Sequence, residues 1–341
     1  MDWKRKAGRT AAVLLLCVLM GQMTQVLIRP IRKLLENPAA ASLLIYLETG
    51  RAVKPTYLEL LPPATEETQP PETIPLSTQP MEAPGIMFSQ QDAQLIQVSN
   101  FCAYRVDIPA LLLTELTWDL TQPQPQVLIL HSHATESYTQ TEQAAYEPSA
   151  AYRTLDNRYN MIRVGQELKE ALEAKGIQVI HDQTLHDHPN YSDAYIHSRE
   201  TVRQWQALYP SIALVIDLHR DAAGDTANHQ LQTAATVDGE PSAQLMMVVG
   251  SNAGGRTHPD WKQNMALAAK LHAQLEKRFP GICRPISFRT ERFNQDLSPG
   301  ALLIEVGAAG DTLEEALVAV SALAEGIGDL AYGTITADST S

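Results

Sequence analysis

Two histidines and a glutamate stand within six residues, His131, His133 and Glu136, where the apolar run "VLIL" (127–130) breaks off. Two further apolar runs end in the same manner. "IALVIDLHRDA" closes on Asp217, His219, Arg220 and Asp221, and "ALLIEVG" carries Glu305. Imidazole nitrogen and carboxylate oxygen are donors that zinc prefers, and a catalytic zinc keeps one position open for water. Two histidines and a glutamate as ligands, with a second glutamate as base, suit peptide or amide hydrolysis. The metal acidifies the water and polarises the carbonyl. The base takes a proton from that water and returns it to the leaving amine. His131 and His133 are two residues apart, so on a strand both point to one face and one metal can use either or both. Ser132 between them then points away.

A plainer reading accompanies each of these residues. A histidine at a strand end can simply be hydrogen-bonded into the structure, His219 by Asp217 or Asp221. Glu305 can be ion-paired with Arg220. Recurrence of the same residue types at three strand ends favours the metal reading, and a carboxylate closing "ALLI" is costly to bury without a partner. His181, His186 and His188 in "HDQTLHDHP" either line the same cleft or sit in a loop. Arg153 and Asn160 are candidate supporting groups, and 289–300 reads as a binding loop. The "HRD" at 219–221 is not a kinase loop, because Thr226 stands where that loop needs Asn and no glycine-rich loop or D-F-G is present. No G-x-S-x-G supports a serine hydrolase.

The elements that must hold these residues follow a regular rhythm. From Gln126 onward, short apolar strands alternate with amphipathic helices. Met161, Val164, Leu168 and Leu172 recur at helical spacing, and Gly176 supplies a helix stop. "YIHSRETVRQWQALYP" is a second helix, "DWKQNMALAAKLHAQLEKRFPG" a third and "TLEEALVAVSALAEGIGDLAYG" a fourth. "IALVIDLH" is apolar throughout, as expected of a strand covered on both faces. The pattern predicts an α/β domain with a mostly parallel sheet flanked by helices. In such sheets ligands bind beyond the carboxyl ends of the strands, where His131, His219 and Glu305 are all expected.

Upstream of that domain the composition changes. Basic residues flank an apolar run from about Ala11 to Ile28, which is near the lower limit of the roughly 17–25 residues that span a bilayer. We read 1–33 as a cytoplasmic tip and single transmembrane anchor, with the downstream domain on the outer side. A juxtamembrane segment follows at 34–61. A linker rich in Pro, Thr and Glu at 62–84 lacks the apolar surface to fold. Residues 85–125 form a small extension of the ectodomain, and 126–336 the catalytic domain. The net charge of −13 argues against a nucleic-acid binder that works through a basic surface. None of the three cysteines lies in a C-x-x-C pair, and Cys102–Cys283 is a conceivable disulfide.

"LHSHATESY", "NMIRVGQELKEALEAKGIQVIHDQTLHD", "IDLHRDA", "VVGSN", "HPDWKQN", "RFNQDLSPGALLIEVG" and "TLEEAL" occur in this order. Together they resemble the stage II sporulation protein P family over about residues 100–330. The resemblance implies a membrane-anchored, zinc-dependent N-acetylmuramoyl-L-alanine amidase with endopeptidase activity on cross-linked stem peptides. It would act on peptidoglycan during engulfment, beside a lytic transglycosylase and a polytopic membrane protein. It implies a fold similar to the zinc amidases of cell-wall turnover. By position, His131 matches the first-strand ligand, His219 the later ligand and Glu305 the catalytic glutamate. The remaining carboxylate ligand is assigned to Glu136, with Asp156 and His133 as alternatives; Arg220 and Asp221 are additional site candidates. A different class of function is a non-catalytic, membrane-tethered module that binds the wall and recruits partners.

Overall fold

The structure, a computed structural model, describes residues 88–333 apart from 117, 227 and 228. The anchor expected at about 11–28, the juxtamembrane segment and the linker at 62–84 lie outside the described residues. Among the described residues no helix is long and apolar enough to cross a membrane.

Seven strands form one sheet in the order β1-β10-β9-β11-β4-β2-β3. They are β1 (Val98–Asn100), β2 (Val127–Leu130), β3 (Val179–His181), β4 (Leu214–Asp221), β9 (Leu245–Val249), β10 (Ile286–Phe288) and β11 (Ala301–Ala308). Two small ribbons, β5–β6 (Gly224–Thr226 and His229–Gln230) and β7–β8 (Ala235–Val237 and Glu240–Ser242), interrupt the chain between β4 and β9. All pairings in the large sheet are parallel except β9 with β11, which is antiparallel. The expected mostly parallel sheet is therefore present, with one reversal at its centre. Residues 98–100 of the 85–125 extension supply its edge strand, through β1 on β10.

Among the described residues six α-helices accompany the sheet: α1 (Gln90–Gln94), α2 (Ile108–Leu112), α3 (Met161–Glu173), α4 (Ala194–Leu208), α5 (Trp261–Arg278) and α6 (Leu313–Tyr332). Strand alternation sorts the core into two layers. Val127 and Ile129 of β2 join the larger cluster with Met161, Val164, Leu168 and Leu172 of α3 and the apolar faces of α5 and α6. Leu128 and Leu130 turn the other way, to Val202 of α4, Ile212 and Val215. Covering both faces removes any polar face from the strand, which explains its unbroken apolar run. Each fully buried aliphatic side chain of this kind contributes roughly 1.5–3 kcal/mol. Helix starts are marked chemically. Asn160 Oδ1 caps α3 by accepting from Ile162 N, and Thr312 with Glu315 forms a capping box on α6.

Parallel register aligns the strand ends. Leu130 is level with Asp217, and His219 with Glu305. The approach of β11 to β4 is close at its start, where Val215 N donates to Gly300 O. A β-carbon on Gly300 would lie 2.0 Å from Ala213 O, a backbone atom with no room to retreat. Gly300→Ala should therefore cost roughly 1–3 kcal/mol as an overpacking defect, read as a lower urea midpoint at unchanged slope. Wild-type stability in that variant would mean that β11 has slack against β4.

Candidate active site

Strand β2 stops at Leu130, one residue before the histidine pair, and a turn occupies 132–135. The rule that puts residues two apart on one face therefore ceases to apply, and His131 and His133 part company. His131 continues the alternation towards α3 and is fully buried. Its Nδ1 donates to Leu218 O at 2.9 Å, and its Nε2 lies 2.9 Å from His181 Nε2. A β-carbon at Gly165 of α3 would come within 2.6 Å of both Nε2 atoms, so the helix needs a glycine there to pass over the pair. Burial drives both rings towards neutrality, with pKa values lowered to about 3 for His131 and about 4 for His181. Both ring nitrogens of His131 are thus spent on the fold.

His133 takes the position at the carboxyl edge that His131 was expected to hold. Its ring lies 5.4 Å from that of His219, edge to face. Glu136 reaches the same place from the end of the turn. Its Oε2 is 3.5 Å from His219 Nδ1 and accepts from Arg220 N at 3.3 Å. Its Oε1 accepts from Arg153 Nη2 at 3.2 Å. Behind His219, Asp217 Oδ1 accepts from Nε2 at 2.9 Å. Residues two apart on β4 share a face, which is why Asp217 can hold His219 from its own strand. Asp217 is pinned in turn by Ser132 N at 2.7 Å and Ser132 Oγ at 2.6 Å. Glu305 completes the group from β11, level with His219.

Electrostatics separates the carboxylates into two kinds. Burial opposes charge on Glu136, but Arg220 and His219 outweigh it and hold its pKa at about 2. Burial likewise opposes charge on Asp217, and His219 with Ser132 brings it to about 2. Burial also disfavours an imidazolium at His219, yet Asp217 and Glu136 raise its pKa well above the ordinary value. Glu305 has no such compensation. Part of the residue is exposed, but its Oε2 is shut off from solvent without a hydrogen-bond partner. Burial pushes its pKa up to about 8, with His219 opposing and Glu136 and Asp221 reinforcing. A carboxyl poised near neutrality beside charged ones is the arrangement that acid–base catalysis uses.

Among the described residues no three His, Cys, Asp or Glu side chains stand as a ready-made metal-holding group. The donor types nonetheless suit zinc. Besides Glu305 Oε2, the buried His133 Nδ1 lacks a hydrogen-bond partner, and orphaned buried atoms of this kind are what a bound group would satisfy. His133, Glu136 and His219 are the residues that would hold the ion.

Other candidates fall in different places. Asp156 is turned to Arg158, its Oδ2 2.6 Å from Nη2. Arg220 is buried and donates from Nε to Ser137 O, bracing the turn that carries Glu136. Asp221 pairs with Arg284 at 2.8 Å. His186 is structural, donating from Nδ1 to His131 O. Cys102 and Cys283 are both free, so they form no disulfide. Two tyrosines not singled out from the sequence also reach the site, beside Arg153, which was. Tyr191 stacks on His133 with centroids 4.4 Å apart, and Arg153 links Glu136 to Asp187 through ion pairs at 3.2 and 2.9 Å. Tyr195 lies beside both His133 and His219. Their signal was the pair of tyrosines four apart in "YSDAY" at the head of a helix, which places both on one side.

Fold and site together define an α/β protein with a buried histidine–carboxylate cluster at the carboxyl edge of its sheet. The family model for "Stage II sporulation protein P (SpoIIP)" matches residues 59–328, and the chain belongs to that family. Stage II sporulation protein P of Bacillus subtilis (strain 168) is 30% identical over 210 residues, which is 58% of this chain and 49% of that protein. The chain thus spans about half the length of that curated relative. Among solved structures, the N-acetylmuramoyl-L-alanine amidase AmiC2 of Nostoc punctiforme aligns with a TM-score of 0.35 at 13% identity, over 59% of this chain and 94% of its own. An N-acetylmuramoyl-L-alanine amidase from Clostridium difficile 630 aligns with the same score at 16% identity, over 64% and 100%.

The Glu305 pKa has a consequence for stability. Its folded value of about 8 exceeds the ordinary 4.5, so between those pH values the folded state keeps a proton that the unfolded state has lost. Stability of the metal-free protein therefore falls as pH rises through that window. Glu305→Gln is neutral throughout, and should raise metal-free stability at pH 7 by on the order of 3 kcal/mol. Urea unfolding in chelator should show the gain at pH 7 to 8 and little of it at pH 5. The same pH slope in both proteins would mean that Glu305 titrates normally.

Proposed function

We propose that the chain is a peptidoglycan hydrolase of sporulation, a zinc-dependent amidase that cuts between N-acetylmuramic acid and the L-alanine of the stem peptide. The observation that carries this reading is the gathering of His133, Glu136, His219 and Glu305 from three separated segments, with Glu305 Oε2 buried and unpartnered. Family membership supports the setting in sporulation, and the activity named for the two aligned amidases is consistent with the reaction.

Zinc held by His133, Glu136 and His219 would supply Lewis-acid polarisation of the attacking water and the amide carbonyl. Asp217 fixes the His219 ring through Nε2 and leaves Nδ1 facing Glu136. Arg220 and Arg153 fix Glu136. Glu305 takes the proton from water as its oxygen bonds to the carbonyl carbon, and returns that proton to the nitrogen as the carbon–nitrogen bond breaks. A neighbouring cation acts on Glu305 as His219 does, lowering its pKa towards the base form. The same chemistry extends to amide bonds of stem-peptide cross-links. The apolar run at 11–28 and the linker at 62–84 support a domain tethered on the outer side of the membrane. A lytic transglycosylase and a polytopic membrane protein are the partners proposed from the family setting.

Full-length protein incubated with purified sacculi should release free stem peptides, and a chelator should stop the release. Sacculi left intact with and without added zinc would instead favour a non-catalytic wall-binding module. His133→Ala and His219→Ala should each lower bound zinc along with turnover. Glu305→Ala should keep its zinc and lose about 10²–10⁴-fold in rate. Equal zinc loss in the Glu305 variant would overturn its assignment as the base.

A further inference from the structure

Tyr195 lies in the first turn of α4, and that turn is held from outside the helix. Asn294 Nδ2 donates to Tyr195 O at 2.8 Å and to Ser198 Oγ at 3.2 Å. The Tyr195 ring meets His133 edge to face at 5.5 Å and lies nearly parallel to His219 at 6.4 Å. Phe293 flanks it at 6.1 Å. The phenol is thus seated against both candidate histidines by rigid neighbours. Among the described residues nothing accepts a hydrogen bond from its hydroxyl. The residue is only half-buried, so its O–H remains free to donate to a group bound beside the two histidines.

We propose that Tyr195 is a catalytic residue whose hydroxyl donates to the carbonyl oxygen of the scissile amide, which rests on the hydrolase reading above. As the water oxygen bonds to the carbonyl carbon, the carbonyl π pair moves onto the carbonyl oxygen and a proton of the water goes to the Glu305 carboxylate. The Tyr195 hydrogen bond strengthens as that charge develops. On collapse the pair returns to the carbonyl, the carbon–nitrogen bond breaks, and Glu305 delivers the proton to nitrogen. Tyr195 keeps its own proton throughout. Such a donor acts on the transition state more than on the bound substrate. Tyr191 is the poorer candidate, because it is 54% exposed and its ring is stacked on His133.

The test is Y195F in the full-length, zinc-loaded protein, which keeps the ring and its packing and removes only the donor. Turnover of a soluble muramoyl-peptide fragment should fall roughly 10²–10³-fold in kcat, with KM and zinc content unchanged. A phosphinate analogue of the scissile amide should bind Y195F more weakly by a similar factor, while the unreacted fragment binds equally well. A kcat within twofold of wild type would overturn the proposal, as would zinc loss in step with the loss of activity. Failure of the hydrolase reading itself is distinct: wild-type protein would then show no chelator-sensitive release, before any variant is compared.

Discussion

Three carboxylates buried at one sheet edge are the constraint around which this domain is organised. Asp217, Glu136 and Glu305 come together within reach of a single imidazole, and charge buried in this way is tolerated only with compensation. His219 lies between Asp217 and Glu136, and both raise its pKa against the effect of burial. Arg220 and Arg153 neutralise Glu136 further, and Ser132 donates twice to Asp217. Glu305 alone is left with an orphaned oxygen. The fold therefore supports two carboxylates in their charged form and keeps the third near neutrality, a division that a single proton-transferring group requires.

The surrounding architecture follows from meeting that constraint. Parallel register puts Glu305 level with His219, and the i,i+2 geometry of β4 puts Asp217 on the same face. The turn after β2 is anchored by contacts that cross to other segments. Arg220 donates to Ser137 O and Tyr152 O, and Asp187 accepts from Thr135 and Arg153. Arg153 consequently couples the segment carrying Tyr191 to Glu136. On the far side of the turn, the His131–His181 pair fills the gap beneath Gly165. The histidines of this region divide into a hydrogen-bonded pair inside, His131 and His181, and a pair at the rim, His133 and His219.

Much of the fold was legible in the sequence because its signals are local. The apolar runs of β2, β4 and β11, the helical spacing of Met161, Val164, Leu168 and Leu172, and the Thr312–Glu315 cap each report on a few neighbouring residues. Glu305, His219 and Glu136 were legible as site candidates for the same reason, since polar residues ending apolar strands stand out in one dimension. The antiparallel pairing of β9 with β11 was not legible, because strand direction depends on how the intervening chain returns. Nor was the membership of residues 98–100 in the central sheet, which rests on pairing with a strand nearly two hundred residues later.

By itself, the sequence determined that an α/β sheet would carry histidines and carboxylates to its carboxyl edge. Spacing alone left His131 and His133 both open to one metal, because both stand beside the same strand, and the family resemblance put His131 first. The tertiary structure separates the two rings through one residue of strand length. β2 ends at Leu130, so His131 follows the pleat into the packing beneath α3 while the turn carries His133 out to His219. The partners that make the difference, His181 and Leu218 for one ring and His219 for the other, lie about fifty to ninety residues away. Only folding brings them near enough for burial and charge to act.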